Sequence, residues 1–220
     1  MARFRSALAT ATLPLLLGIA PARAEEPPPL RNAPPLEVKL GVLLHDIEHR
    51  GHARHNSIDV NFEALSRPLP VARFESRLLQ AIAAPRAMLG ATVNTEGNTH
   101  TVYGGVSWIY TTNSGLFVAP SLGLALHNGN LHSTTRPCTA EEIQRSCSSR
   151  KPVGRVETSR DRETLGTRVL LRESLEVGYA FTRHVSVGAY VAHMSNGGWF
   201  HAENGGMSFA GVRVGYRFGD

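Results

Sequence analysis

The sequence predicts an all-β protein, an eight-stranded antiparallel transmembrane β-barrel with short periplasmic turns and longer outer loops. Three observations carry this. Segments in which apolar and polar residues alternate recur along the chain, and residues two apart in a strand share a face. Beyond residue 24 no run of 18 consecutive apolar residues occurs, so the expected spanning elements are strands, whose hydrophobic signal is weaker than a helix's. The links between strands alternate between tight and long, as periplasmic turns and outer loops do in such barrels.

Residues 1–24 read as a secretory signal peptide: Arg3 and Arg5, an apolar stretch from Ala7 to Ala20, and Ala22-Arg23-Ala24 as the small-x-small cleavage site. The stretch is shorter than the ~20 residues a membrane anchor needs. Residues 25–35 form a Pro-rich leader, expected to be extended, and residues 36–220 supply the barrel. Removing Arg3, Arg5 and Arg23 leaves 20 basic against 18 acidic side chains, so the net charge falls from +5 to +2. Neither a Lys/Arg-rich run nor aromatic-basic interleaving points to nucleic acid. Cys138 and Cys147, in a polar stretch of an exported chain, are expected to form one disulfide, and their spacing does not suit zinc.

The predicted strands lie at 36–46, 57–65, 86–94, 100–110, 115–127, 167–180, 184–195 and 207–218, all rich in Val, Leu, Gly and aromatics. In the second, Ile58, Val60, Phe62 and Ala64 oppose Asp59, Asn61 and Glu63. The fourth aligns Val102, Val106, Trp108 and Tyr110. The sixth aligns Val169, Leu171, Leu175, Val177 and Tyr179, with Glu173 interrupting the stripe. The seventh aligns Val185, Val187, Ala189 and Val191, and the eighth sets Val212, Val214, Tyr216 and Phe218 against Gly211, Arg213, Gly215 and Arg217. Between the second and third strands, residues 71–84 carry the one helical pattern. A soluble sandwich would bury the same apolar faces, so alternation alone leaves both open. Charged residues on the opposite faces and aromatics at strand ends favour the barrel. Asp59, Asn61, Glu63, Arg172, Ser174 and Glu176 are then expected to fill a narrow lumen, which excludes a porin.

If the first strand runs outward, the tight links at 111–114 and 181–183 are periplasmic, and the long ones at 47–56, 128–166 and 196–206 are external. The link at 66–85, with the helix, is the exception. The seventh strand then runs outward and ends in His193-Met194-Ser195-Asn196. His193 and Ser195 share its apolar, lipid-facing side. A base and a potential nucleophile placed there suggest hydrolysis of a lipid ester.

The segment His193-Met194-Ser195-Asn196-Gly197-Gly198, the last strand Gly211 to Phe218, and the stretches Leu89 to Gly97 and Leu171-Arg172-Glu173-Ser174 resemble the lipid A 3-O-deacylase (PagL) family. The resemblance implies an eight-stranded bacterial outer-membrane barrel that removes an ester-linked 3-hydroxyacyl chain from lipid A of lipopolysaccharide without a cofactor or metal. It implies Ser195 as nucleophile, His193 as general base and then acid, and Gly198 and Asn204 as oxyanion donors, with Asn196 part of the motif. The family's glutamate, at the start of the last strand, corresponds here to Met207 or, allowing one inserted residue, Ser208. Two carboxylates can stand in. One is Glu173. A three-residue loop at 181–183 sets it one diagonal step from His193, paired positions summing to 364, and a shift to 366 sets it directly opposite. A bulge could instead turn it into the lumen. The other is Glu203, in the loop past the motif, which otherwise is a solvated charge. The alternative to an esterase is a non-catalytic structural or adhesin-like outer-membrane barrel. A metal site in the first outer loop, with His45, Asp46, Glu48, His49, His52 and His55, lacks ligand geometry because Gly51 interrupts the helical spacing.

Overall fold

The computed structural model describes residues 36–47, 57–69, 72, 74–132, 135–139, 155–157, 163–198 and 206–219. The expected signal peptide and leader, Cys147, Glu203 and Asn204 lie outside the described residues.

In chain order the elements are β1 (Leu36–Leu44), β2 (Ile58–Pro68), α1 (Arg77–Ile82), β3 (Arg86–Asn94), β4 (Thr101–Ser107), β5 (Tyr110–Thr111), β6 (Leu116–His127), β7 (Thr135–Pro137), β8 (Arg155–Glu157), β9 (Val169–Ala180), β10 (Val185–Ser195) and β11 (Met207–Phe218). Each neighbour in the main sheet is antiparallel, β4 pairs with β6, and β1 pairs with β11, so the sheet closes into a barrel. β4 and β5 together form the predicted fourth strand. Ser107 pairs with Ser121 and Tyr110 with Val118, so both lie in one register against β6. The gap falls where Trp108 meets Pro120, which has no N–H to donate to the ladder; Trp108 still donates its own N–H to the Pro120 carbonyl at 3.0 Å.

The helix is shorter than the predicted 71–84. It begins after Ser76, ends at Ile82 and buries none of its residues. Pro85 stands three residues past its end, where it cannot continue the helix. The Trp108 indole N–H donates to the Ile82 carbonyl at 3.0 Å, which fixes the helix against the periplasmic end of the barrel. The long outer link contains a feature the sequence did not suggest, the two-stranded β7–β8 hairpin. Beside it, Cys138 is disulfide-bonded.

Alternation along each strand separates two surfaces. Leu40, Val42, Val60, Phe62, Leu124, Val177 and Val214 are among the large apolar residues left exposed on the outside, as a barrel in lipid requires. At the inner ends of β9 to β11 aromatic rings cluster: Tyr179 meets Phe181 at 5.1 Å, and Tyr216 meets Phe218 at 4.9 Å. Such girdles mark the membrane interface.

The lumen is filled. Lys39 Nζ lies 2.9 Å from Glu176 Oε2, and Arg213 bonds both Glu176 and Glu63. Arg86 pairs with Glu37, and Arg172 donates to Ser121 Oγ at 3.0 Å and to the Tyr190 hydroxyl. The Arg172 guanidinium also lies 3.8 Å from the Tyr103 ring centre. A buried charge is tolerated when it is paired, and interleaving Glu37, Glu63 and Glu176 with Lys39, Arg86, Arg172, Arg213 and Arg217 gives each a partner of opposite sign. Toward the outer end an apolar cluster joins the filling, with Leu43, Met194, Met207 and Phe209 buried together. Eight strands leave room for side chains only, and these occupy it.

Candidate active site

His193 and Ser195 continue the outward-facing series of β10 and are half-buried, while Ala192 and Met194 point inward and are buried. β10 ends at Ser195 because Gly197 and Gly198 both take positive φ, 65° and 71°, which turns the chain out of the ladder. Asn196 secures that turn. Its buried side chain accepts from the Gly198 N–H at 2.8 Å and donates to the Leu165 carbonyl at 3.2 Å, tying the turn to the loop before β9. The Gly198 N–H, expected as an oxyanion donor, is therefore engaged by Asn196 in this structure.

The β9–β10 register decides where Glu173 lies. Phe181 donates its N–H to the Val185 carbonyl at 3.0 Å, so the ladder runs one step further than a 181–183 loop allows. Paired positions sum to 366 rather than 364, and Glu173 stands directly opposite His193. Directly opposed residues have Cβ atoms ~4.5–5.5 Å apart. The bulge alternative is not seen: Glu173 faces outward and is exposed. Among the described residues, none forms a hydrogen bond or ion pair with its carboxylate.

On its other side His193 pairs with Ser208 of β11. His193 Nδ1 and Ser208 Oγ are 2.7 Å apart, and Ser208 is only 5% exposed. A Cβ placed on Gly206 would sit 3.2 Å from His193 Cε1, so the imidazole lies over a bare backbone and is held on the Ser208 side. Ser195 sits one pleat nearer the rim, opposite Leu171. The structure thus brings His193, Ser195, Glu173 and Ser208 to one patch at the outer rim.

Next beyond Ser208 is Asp46. It follows the end of β1, is fully buried, and is the one non-glycine among the described residues with positive φ, 42°. Its Oδ1 accepts from the Ser208 N–H at 3.5 Å. For this stretch the sequence favours a polar outer loop over a metal site, and Glu48, His49, His52 and His55 lie outside the described residues. His45 pairs with buried Asp59 at 2.8 Å, and no group of three or more His, Cys, Asp or Glu that could hold a metal forms among the described residues.

A closed barrel with an apolar exterior and a filled lumen defines an outer-membrane β-barrel. The chain belongs to the lipid A 3-O-deacylase (PagL) family, whose model matches residues 86–217. In fold it resembles the crystal structure of the outer membrane enzyme PagL, with a TM-score of 0.54 at 14% identity, covering 83% of this chain and 99% of that one. Weaker structural likenesses include the Neisserial surface protein A (NspA), with a TM-score of 0.47 at 11% identity, covering 83% of this chain and 97% of that one. Another is the N-terminal barrel domain of Pseudomonas aeruginosa OprF, with a TM-score of 0.46 at 12% identity, covering 83% and 96%. No curated protein matches the chain in sequence.

Proposed function

We propose that the protein is a serine esterase that removes an ester-linked 3-hydroxyacyl chain from lipid A in the outer leaflet. The observation that carries this is the position of His193 and Ser195 on the lipid-facing side of β10 at the outer rim. A lipopolysaccharide ester reaches that position laterally from the membrane.

Ser195 Oγ attacks the ester carbonyl while His193 takes its proton, since a serine hydroxyl is a poor nucleophile without a base. Collapse of the tetrahedral intermediate expels the sugar oxygen, which takes the proton from His193. Water, deprotonated by the same imidazole, then releases the hydroxy acid and restores Ser195. Gly198 and Asn204 supply the oxyanion donors, and the substrate oxygen displaces Asn196 from the Gly198 N–H. Glu173 is the carboxylate across the ladder from His193, and Glu203 the alternative in the loop. The His193 Nδ1 position, however, is held by Ser208.

Mass spectrometry of lipid A from a Gram-negative host expressing the chain tests this. Loss of one hydroxyacyl group is expected, abolished by Ser195→Ala and by His193→Ala. Unchanged lipid A despite folded protein in the outer membrane would sink the proposal. It would favour the non-catalytic barrel, a reading supported by Ser208 standing where the family resemblance expects glutamate.

A further inference from the structure

We propose that Asp46 is the positioning carboxylate of this site, acting on His193 through the hydroxyl of Ser208. The inference rests on the esterase reading above and extends it to a residue outside the matched stretch 86–217.

Geometry brings the three together. The β1–β11 ladder ends with Leu44 opposite Ala210. Continuing it by two residues on each strand sets Asp46 beside Ser208, and the Asp46 Oδ1 contact to the Ser208 N–H confirms that proximity. Ser208 in turn pairs with His193. Asp46, Ser208, His193 and Glu173 therefore form one row across four adjacent strands. In that row His193 Nδ1 lies 2.7 Å from Ser208 Oγ, on the side of the ring from which Asp46 reaches the Ser208 backbone. Asp46 also has the features of a residue held in place: it is fully buried and keeps a left-handed backbone, φ 42°. Aspartate is one of the few non-glycine residues that adopt this conformation readily, so the backbone there holds the carboxylate in place.

The chemistry follows from hydrogen count. A serine hydroxyl has one hydrogen to donate and lone pairs to accept with. If Ser208 donated it to His193 Nδ1, the ring would carry its hydrogen on Nε2 and could not take a proton there. If Ser208 donates to a carboxylate, its oxygen accepts from Nδ1–H, and Nε2 keeps the lone pair that Ser195 needs. The hydrogen bond at one ring nitrogen sets the tautomer at the other. A buried carboxylate beside Ser208 selects the productive tautomer and favours the imidazolium formed during the reaction. Ser208 thus transmits what a glutamate at its position would supply directly.

The test uses purified full-length barrel in detergent micelles with lipid A as substrate, products being read by mass spectrometry. Asp46→Gly suits the positive φ and removes the acceptor; Asp46→Asn keeps an acceptor and removes the charge. General-base contributions of ~10²–10⁴ set the scale: kcat should fall about 100-fold for Asp46→Gly and about tenfold for Asp46→Asn, with KM unchanged. In a Ser208→Glu background, where a carboxylate meets Nδ1 directly, Asp46→Gly should cost less than about twofold. A spectroscopic readout stands apart from activity: the ¹⁵N resonances of His193 should show the Nδ1–H tautomer in the wild type and Nε2–H in Asp46→Gly. Equal losses in both backgrounds, a change in KM alone, or an unchanged tautomer would overturn the role of Asp46. So would full activity of Asp46→Gly alongside an inactive Glu173→Gln. If the wild type shows no deacylation, the esterase reading falls by itself and the tautomer comparison still decides the Asp46 link.

Discussion

At the scale of single residues, the site depends on how His193 is held. Gly206 leaves space under the imidazole, and its own φ is 61°. Gly206→Val would press on Cε1, displace the ring from Ser208 and strain the backbone. Deacylation should drop at least about tenfold, since misplacing a catalytic group by ~1 Å costs about that or more; the heat-modifiable gel mobility of the folded barrel should persist. His193 and Ser195 were legible in the sequence because strand alternation alone places i and i+2 on one face. Glu173 was legible as an outlier in an apolar stripe. Asp46 was not, since its neighbour Ser208 lies 162 positions away and only barrel closure makes them adjacent. Ser208 was noticed as a missing glutamate; nothing in the sequence marked it as a partner of the histidine.

Strands and turns show where local chemistry governs the fold. All eight predicted strands exist because apolar alternation is strong and the links between them are polar or rich in glycine. The register of the β9–β10 hairpin was left between two values, since side-chain alternation is the same for both and only the turn separates them. The β7–β8 hairpin escaped notice because its segments carry no apolar face. Close backbone approach adds a constraint hidden from periodicity: a Cβ on Gly105 would lie 2.2 Å from the Leu122 carbonyl oxygen. Gly105→Val should therefore destabilise the barrel by about 1–3 kcal/mol through overpacking, seen as a lower urea midpoint in lipid vesicles. An unchanged midpoint would mean that β4 and β6 separate freely there.

For the whole molecule, stability has two sources facing opposite ways. Outside, lipid replaces water against the apolar belt. Leu40→Arg, at the middle of β1, should cost about 2–4 kcal/mol in a bilayer and much less in a detergent that solvates the charge, which equilibrium unfolding in the two media would show. Inside, the charges hold one another. Glu176→Leu would strip both Lys39 and Arg213 of an acceptor and should cost about 3–5 kcal/mol, the scale for breaking a buried pair, again measured by urea unfolding. The sequence showed that these polar faces were enclosed, but the pairing among them emerges only from the ring of strands.

The seam between β1 and β11 joins the two ends of the described barrel, from Leu36 opposite Phe218 to Leu44 opposite Ala210. Asp46 and Ser208 meet at the outer lip of that seam. A chain still crossing the periplasm carries His193 and Ser195 but has not brought its first and last strands together, so the proposed link from Asp46 to His193 is not yet made and the chain should be latent. On the proposed mechanism hydrolysis should begin only once β1 and β11 have paired, and the onset of deacylation would then time the closing of that seam.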